Sequence, residues 1–215
     1  LAVQGPKSIT LLQELTDVDL SSIKYYNFKT GNIAGIDEVI LSRTGYTGEI
    51  GFELYVKNES AKQLWETIFT TSVELKPIGL AARDTLRLEK GFCLYGNDIN
   101  DTTSPIEAGL SWITKFTKDF VDAKRLKEQK EAGVTRKLVG LELIDKGIAR
   151  KDHPIVDTDG NKIGVVTSGT MSPTLNTAIA MGYVPKILSK IDTEVLIQVR
   201  NKKLKARVVA FPFVK

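Results

Sequence analysis

Two short segments carry an unusual density of polar side chains that could bind a ligand. Residues 44–53, Thr-Gly-Tyr-Thr-Gly-Glu-Ile-Gly-Phe-Glu, place three glycines and two carboxylates in what reads as one tight turn. Residues 82–91, Ala-Arg-Asp-Thr-Leu-Arg-Leu-Glu-Lys-Gly, alternate charges along a helical stretch that ends at glycine. Together the segments offer a carboxylate, a guanidinium and an aromatic ring to one site.

Glu53 is the first candidate for ligand binding. Residues 52–56 alternate between apolar and polar side chains, which predicts a strand that carries Glu53 at its start. One carboxylate placed there can accept hydrogen bonds from two adjacent N–H donors. A solvated glutamate at a strand end is the alternative, and the residues alone favour it.

Arg83 is the second candidate. Leu80 and Leu86 make the predicted helix face around it partly apolar, so its guanidinium needs a carboxylate or a polar ring edge as a partner. The sequence is equally compatible with a salt-bridged structural arginine and with a ligand contact.

Other candidate residues give weaker signals. The spacing of the glycines in residues 45–51 is not that of a dinucleotide fingerprint. Residues 168–172, Ser-Gly-Thr-Met-Ser, could bind an anion through backbone N–H groups, although a tight barrel turn is favoured. Trp112 would by default be placed in the core, and His153 is interpreted as a surface or capping residue.

The composition is that of a soluble globular protein. The 215 residues are 42% hydrophobic and 26% charged, which suggests one or two domains and argues against disorder. A net charge of +4 comes from lysines and arginines concentrated after residue 115; a solvated surface explains them better than nucleic-acid binding does. One cysteine and one histidine exclude an internal disulfide and the usual zinc or iron–sulfur ligand sets, so no metal is expected. No apolar run is long enough to span a bilayer, and no membrane partner is expected.

The hydrophobic pattern predicts two modules. In the first, strands and helices alternate as in an α+β domain, with a turn at residues 29–32 and a helix over 79–90 that ends at Gly91. A charged helix around residues 120–133 then leads to five short strands, which favour a small barrel or sandwich. The five predicted strands are residues 138–143, 163–166, 180–184, 194–199 and 204–209.

Five motifs in a fixed order resemble the aminomethyltransferase of the glycine cleavage system, the T-protein family. The resemblance extends over essentially the whole chain, and the order of the motifs makes it specific although each is short. The motifs are Ala2–Pro6, Gly45–Glu53, Gly79–Asp84, Leu94–Asp98 and Ser168–Pro173.

This resemblance implies a fold. We expect the remainder of a folate-binding α+β domain, a mixed sheet with helices, over residues 1–117. A small C-terminal β-barrel domain is expected over residues 118–215.

The resemblance also implies a ligand, tetrahydrofolate, and residues that bind it. Glu53 matches a glutamate that accepts from the amide and exocyclic amine of the pterin, and Tyr46 lines the same pocket. Arg83 borders the folate site. Trp112 matches a residue beside the aminobenzoyl group, and Arg150 an arginine that meets the glutamyl tail.

The implied reaction transfers a one-carbon unit from the aminomethyl-lipoyl group of H-protein to tetrahydrofolate, with release of ammonia. The family's catalytic aspartate belongs to a segment that precedes the residue matching Leu1, so no catalytic residue is assigned and little turnover is expected of this chain alone. The expected compartment is the bacterial cytoplasm, or the mitochondrial matrix of a eukaryote.

Two relatives of the same superfamily are alternatives. Non-catalytic folate-binding proteins of iron–sulfur assembly carry a Lys-Gly-Cys motif followed by Gln-Glu, whereas residues 90–98 here read Lys-Gly-Phe-Cys-Leu-Tyr-Gly-Asn-Asp. That departure favours the transferase. The folate-binding domains of dimethylglycine- and sarcosine-oxidising enzymes are distinguished by a flavin-binding domain upstream.

Overall fold

A computed structural model describes all 215 residues of the chain. The chain forms two compact units, Leu1–Leu86 and Arg87–Lys215. These units are defined by packing, and the functional division expected after residue 117 remains a prediction. No helix in the structure has the length and apolar character needed to cross a membrane.

The first unit is an antiparallel four-stranded sheet with helices. The strand order is β1-β4-β3-β2, so β1 and β2 are the edges. Its elements are β1 (Ala2–Gln4), α1 (Ser8–Gln13), β2 (Phe28–Ile33), β3 (Ile36–Ser42), β4 (Gly51–Tyr55), a 3₁₀ turn (Asn58–Ser60), α2 (Ala61–Ile68) and the first part of α3 (Leu80–Glu89). The last turn of α3, from Arg87 onward, belongs to the second unit.

One face of this sheet builds the core of the first unit. Phe52 and Leu54 of β4 are fully buried, and Leu12 and Leu64 from α1 and α2 belong to the same cluster. Because side chains alternate along a strand, Glu53 lies on the opposite face. The predicted strand is confirmed, and it begins two residues before Glu53.

The β2–β3 hairpin differs from the prediction. Residues 29–32, predicted as a turn, belong to β2, and the chain reverses at Ala34 and Gly35. Both residues have positive φ angles, 55° and 75°, as a two-residue hairpin turn of type I′ requires. Gly35 is a common turn residue, but alanine rarely adopts this conformation, so Ala34 concealed the position of the turn.

The glycine-rich turn before β4 is shaped by the side chain of Gln4. The Gln4 amide Nε2 donates to the carbonyl oxygens of Thr44 and Phe52, at 3.2 Å each. A Cβ atom added to Gly45 would lie 2.0 Å from Gln4 Oε1, and one added to Gly51 would lie 2.2 Å from it. These two glycines therefore make room for an amide that joins the turn to the sheet.

The second unit is built around a closed six-stranded barrel of order β10-β5-β8-β7-β6-β9. The expected α+β fold with a C-terminal barrel is therefore confirmed, whereas the sheet of the first unit is antiparallel throughout and not mixed as expected. The elements of this unit are α4 (Ala123–Ala132), β5 (Arg136–Leu143), β6 (Pro154–Val156), β7 (Lys162–Ser172), β8 (Thr177–Pro185), a 3₁₀ turn (Lys186–Leu188), β9 (Glu194–Val199) and β10 (Lys202–Val209).

All five predicted barrel strands are present, and one strand was missed. β6 has only three residues and begins with Pro154, so it shows no measurable alternation. Residues 168–172 form no turn; they continue β7, which pairs with β8 to its end. An irregularity in the pairing between Val166 and Ser168 adjusts the register within this long strand.

A buried ion pair fixes the loop after α3 to the barrel. Arg87 and Asp98 are 0% and 1% exposed, and Arg87 Nη1 donates to Asp98 Oδ2 at 2.6 Å. The guanidinium also donates to Ser168 Oγ of β7 at 2.8 Å, and Thr167 Oγ1 donates to Asp98 Oδ1 at 2.5 Å. Tyr183 OH of β8 donates to the Asp98 carbonyl at 2.9 Å. Every charged oxygen of the pair is thus satisfied without water.

We predict that Asp98→Asn destabilises the chain by about 3–5 kcal/mol, because the buried Arg87 loses its counter-charge. The free energy of unfolding from urea titration measures the effect. Asp101→Asn is the matched control, since Asp101 is exposed and accepts from Tyr95 at the surface. A loss no larger than that of the control would contradict the assigned role of the pair.

We further predict that Gly45→Ala destabilises the first unit by about 1–3 kcal/mol, because the new methyl group displaces the Gln4 amide. Gly79→Ala is the control, since no atom lies within 4 Å of its added Cβ. In a double-mutant cycle, Gly45→Ala should add little to Gln4→Ala. Full additivity of the two substitutions in thermal unfolding would show that the contact is unimportant.

Candidate functional site

The predicted site residues are distributed over both units, and the first unit holds Glu53, Tyr46 and Arg83. Glu53 occupies the middle of a row across the sheet. Strand pairing places Ala2 on one side of it and Ser42 on the other, with Phe28 beyond Ser42. Glu53 therefore belongs to the sheet face that lies opposite the core.

The Glu53 carboxylate is held through one of its two oxygens. Oε2 accepts from Thr44 Oγ1 at 2.6 Å and from Tyr55 OH at 3.2 Å. Thr44 Oγ1 also lies 3.1 Å from the Ser42 hydroxyl, so hydrogen-bonded groups extend from Ser42 through Thr44 to Glu53. The negative charge of Glu53 raises the pKa of Tyr55, which keeps the phenol protonated as the donor. Oε1 of Glu53 accepts no hydrogen bond from the protein.

Tyr46 and Arg83 come together in the first unit. The Arg83 guanidinium carbon lies 5.1 Å from the centroid of the Tyr46 ring, a cation–π contact. The face around Arg83 is less apolar than predicted, because Leu80 is 84% exposed. The hydrogen bonds of Glu53 go to Thr44 and Tyr55 and not to this pair.

A cavity of about 560 Å³ lies in the first unit beside β1. Its wall includes the apolar side chains of Val3, Trp65 and Phe69 and the polar side chains of Glu49 and Arg83. Neither Tyr46 nor Glu53 lines it. Arg83 thus faces this cavity, whereas Glu53 is presented on the open sheet face.

Trp112 and Arg150 belong to the second unit. Trp112 is 66% exposed in a turn segment, so its default placement in the core is wrong. Arg150 is exposed, and its Nη1 donates to the Gly169 carbonyl at 2.9 Å. The backbone N–H of Arg150 donates to His153 Nδ1 at 3.1 Å, which fits the interpretation of His153 as a capping residue.

The single cysteine of the chain, Cys93, lies in the second unit. Burial raises the pKa of Cys93 to about 11, so the thiol is protonated near neutral pH and is a poor nucleophile. No group of three or more His, Cys, Asp or Glu side chains is arranged to hold a metal ion.

Sequence reasoning assigned no role to three residues that shape the site: Gln4, Thr44 and Tyr55. Gln4 lies in the Ala2–Pro6 motif, and Thr44 begins the segment of residues 44–53. The sequence could have indicated Tyr55, because residues two apart on a strand lie on the same face and Tyr55 follows Glu53 at that spacing. Gln4 and Thr44 are 40 residues apart in sequence, and no local pattern indicates their contact.

Family models match both parts of the chain. Residues 1–118 match the model described as the GCVT N-terminal domain. Residues 136–215 match the model described as the glycine cleavage T-protein C-terminal barrel domain.

Curated relatives carry a consistent name. An aminomethyltransferase of Flavobacterium psychrophilum is 55% identical over 100% of this chain, and one of Bacteroides fragilis is 58% identical over 99%. The chain spans about 60% of the length of these relatives.

A solved structure shows the same fold. The crystal structure of glycine cleavage system aminomethyltransferase T from Bartonella henselae superposes with a TM-score of 0.90 at 35% identity. The match covers 99% of this chain and 58% of that one. From its fold, its two domain matches and its relatives, the chain belongs to the glycine cleavage T-protein family.

Proposed function

We propose that this protein functions as an aminomethyltransferase of the glycine cleavage system, in glycine catabolism and one-carbon metabolism. The one-carbon unit would pass from the aminomethyl-lipoyl group of H-protein to tetrahydrofolate, and ammonia would leave. The names of the relatives support this activity, and the chain spans about 60% of their length.

The proposal rests on the position and the hydrogen bonds of the Glu53 carboxylate. A carboxylate on an open sheet face, fixed through Oε2 and with Oε1 unengaged, is prepared to accept from a ligand N–H group. The pterin of tetrahydrofolate offers an amide N–H beside an exocyclic amine. Such a pair of donors suits a preorganised carboxylate better than it suits a flexible one.

The other predicted residues would bind the remaining parts of folate. In the first unit, Tyr46 offers a ring that Arg83 already covers on one face, and the guanidinium keeps further donors for polar ring edges. In the second unit, the exposed ring of Trp112 offers an apolar surface for the aminobenzoyl group. Arg150 offers a guanidinium to the glutamyl carboxylates.

The transfer itself needs two bound partners held close together more than it needs a strong nucleophile on the protein. The lipoylated H-protein is therefore the proposed macromolecular partner, and the proposed compartment is the bacterial cytoplasm. No membrane or nucleic-acid partner is part of the proposal.

The alternative of a non-catalytic iron–sulfur assembly protein is not favoured. The relatives that cover this chain at 55–58% identity are named aminomethyltransferase. The shifted position of Cys93, noted in the sequence, agrees with that preference.

We predict that Glu53→Ala weakens binding of tetrahydrofolate about 10- to 100-fold, because a hydrogen bond to a charged acceptor is lost. Isothermal titration calorimetry on the 215-residue chain measures the dissociation constant. The fold should be retained, since Glu53 lies outside the core.

Glu66→Ala is the control for this prediction. Glu66 is an exposed glutamate of α2, paired with Lys62 at 3.8 Å. It should leave both affinity and thermal stability unchanged. If Glu53→Ala binds tetrahydrofolate as tightly as Glu66→Ala does, the proposed function of Glu53 is refuted.

A further inference from the structure

We infer that Thr44 and Tyr55 are positioning residues that orient the Glu53 carboxylate and reserve its Oε1 for the ligand. This inference rests on the proposed function, because it concerns the same carboxylate. It adds two residues to those matched by the family motifs and assigns different roles to the two oxygens of Glu53.

The number of acceptor positions on the Glu53 carboxylate limits where a ligand donor can bind. A carboxylate oxygen has two lone pairs, and Oε2 already receives two donors, the hydroxyl groups of Thr44 and Tyr55. A ligand N–H group therefore finds its acceptor at Oε1. The two donors of a pterin would share the two lone pairs of this oxygen.

The Glu53 side chain is preorganised before a ligand binds. A glutamate side chain in solvent samples many rotamers, and ordering it upon binding opposes affinity. Two hydrogen bonds to one oxygen restrict the Glu53 side chain before the ligand arrives. The ordering is then accomplished during folding and does not weaken binding.

Thr44 and Tyr55, the two donors to Glu53, are themselves held in place. Thr44 N–H donates to the Ser42 carbonyl at 2.9 Å, and the Thr44 carbonyl accepts from Gln4 Nε2 at 3.2 Å. Tyr55 stands two residues after Glu53 in β4, so its ring rises from the same sheet face. The donors thus come from a rigid strand and from a turn anchored on both sides.

The two hydrogen-bond distances indicate which of Thr44 and Tyr55 orients the Glu53 carboxylate more strongly. The bond from Thr44 is 2.6 Å, whereas the bond from Tyr55 is 3.2 Å, which is longer than the usual range for O–H donors and therefore weak. Thr44 is therefore the stronger orienting group, and its removal should have the larger effect on ligand affinity.

The experiment measures the tetrahydrofolate dissociation constant by calorimetry for a series of variants of the full 215-residue chain. Thr44→Val removes the hydroxyl at constant shape and should weaken binding about tenfold, whereas Thr44→Ser keeps the hydroxyl and should stay within about twofold. Tyr55→Phe should weaken binding about threefold. In the Glu53→Ala background, Thr44→Val should have no further effect.

Two control substitutions match the chemical changes. Thr30→Val makes the same change on β2, on the same sheet face, where Thr30 is paired with Ile40 and not with Glu53. Tyr95→Phe removes a tyrosine–carboxylate hydrogen bond, to Asp101, in the second unit. Both controls should bind tetrahydrofolate like the unmodified chain.

The possible results distinguish a failure of the positioning role from a failure of the proposed function. If Glu53→Ala weakens binding while Thr44→Val does not, the positioning role is overturned and the proposed function stands. An equal effect of Thr44→Val in the presence and in the absence of Glu53 would reveal a general structural effect and would also overturn it. If Glu53→Ala itself leaves the affinity unchanged, the proposed function fails and the inference falls with it.

Discussion

The insertion of the Gln4 amide into the space left by Gly45 and Gly51 is the contact on which the candidate site depends. It ties an edge strand, a glycine-rich turn and the strand that carries Glu53 into one rigid piece. Through the Thr44 carbonyl, the same amide fixes the residue whose hydroxyl orients Glu53. Gly45 and Gly51 are thus explained by packing around a side chain, and Gly48 by its positive φ angle of 75°.

The second unit uses a similar principle with charged groups. An irregular loop is fastened to a regular barrel by Arg87 and Asp98, whose hydrogen bonds reach β7 and β8. When one partner of such a buried ion pair is lost, the fold is strongly destabilised, because the other charge stays buried without a counter-charge. The pair therefore constrains the conformation more than it adds to stability. In both units, polar side chains from distant parts of the chain hold the loops that carry the motifs.

Sequence reasoning predicted the regular parts of the fold and missed the contacts between distant residues. Period-two alternation located β4, and short apolar segments separated by turns located five of the six barrel strands. The turn was misplaced because alanine at position 34 rarely adopts a positive φ angle, and the strand at Pro154 is too short to show alternation. Trp112 was misplaced because hydrophobicity alone does not reveal what covers a ring. Ser168 lies 81 residues from Arg87 in sequence, and their pairing is visible only in three dimensions.

The most direct test of the account is a crystal structure of the chain with bound tetrahydrofolate. The account predicts a pterin N–H group at about 2.7–3.0 Å from Glu53 Oε1, with the bond from Thr44 to Oε2 retained. A pterin bound away from the open sheet face, or a Glu53 carboxylate turned toward bulk water in the complex, would contradict it.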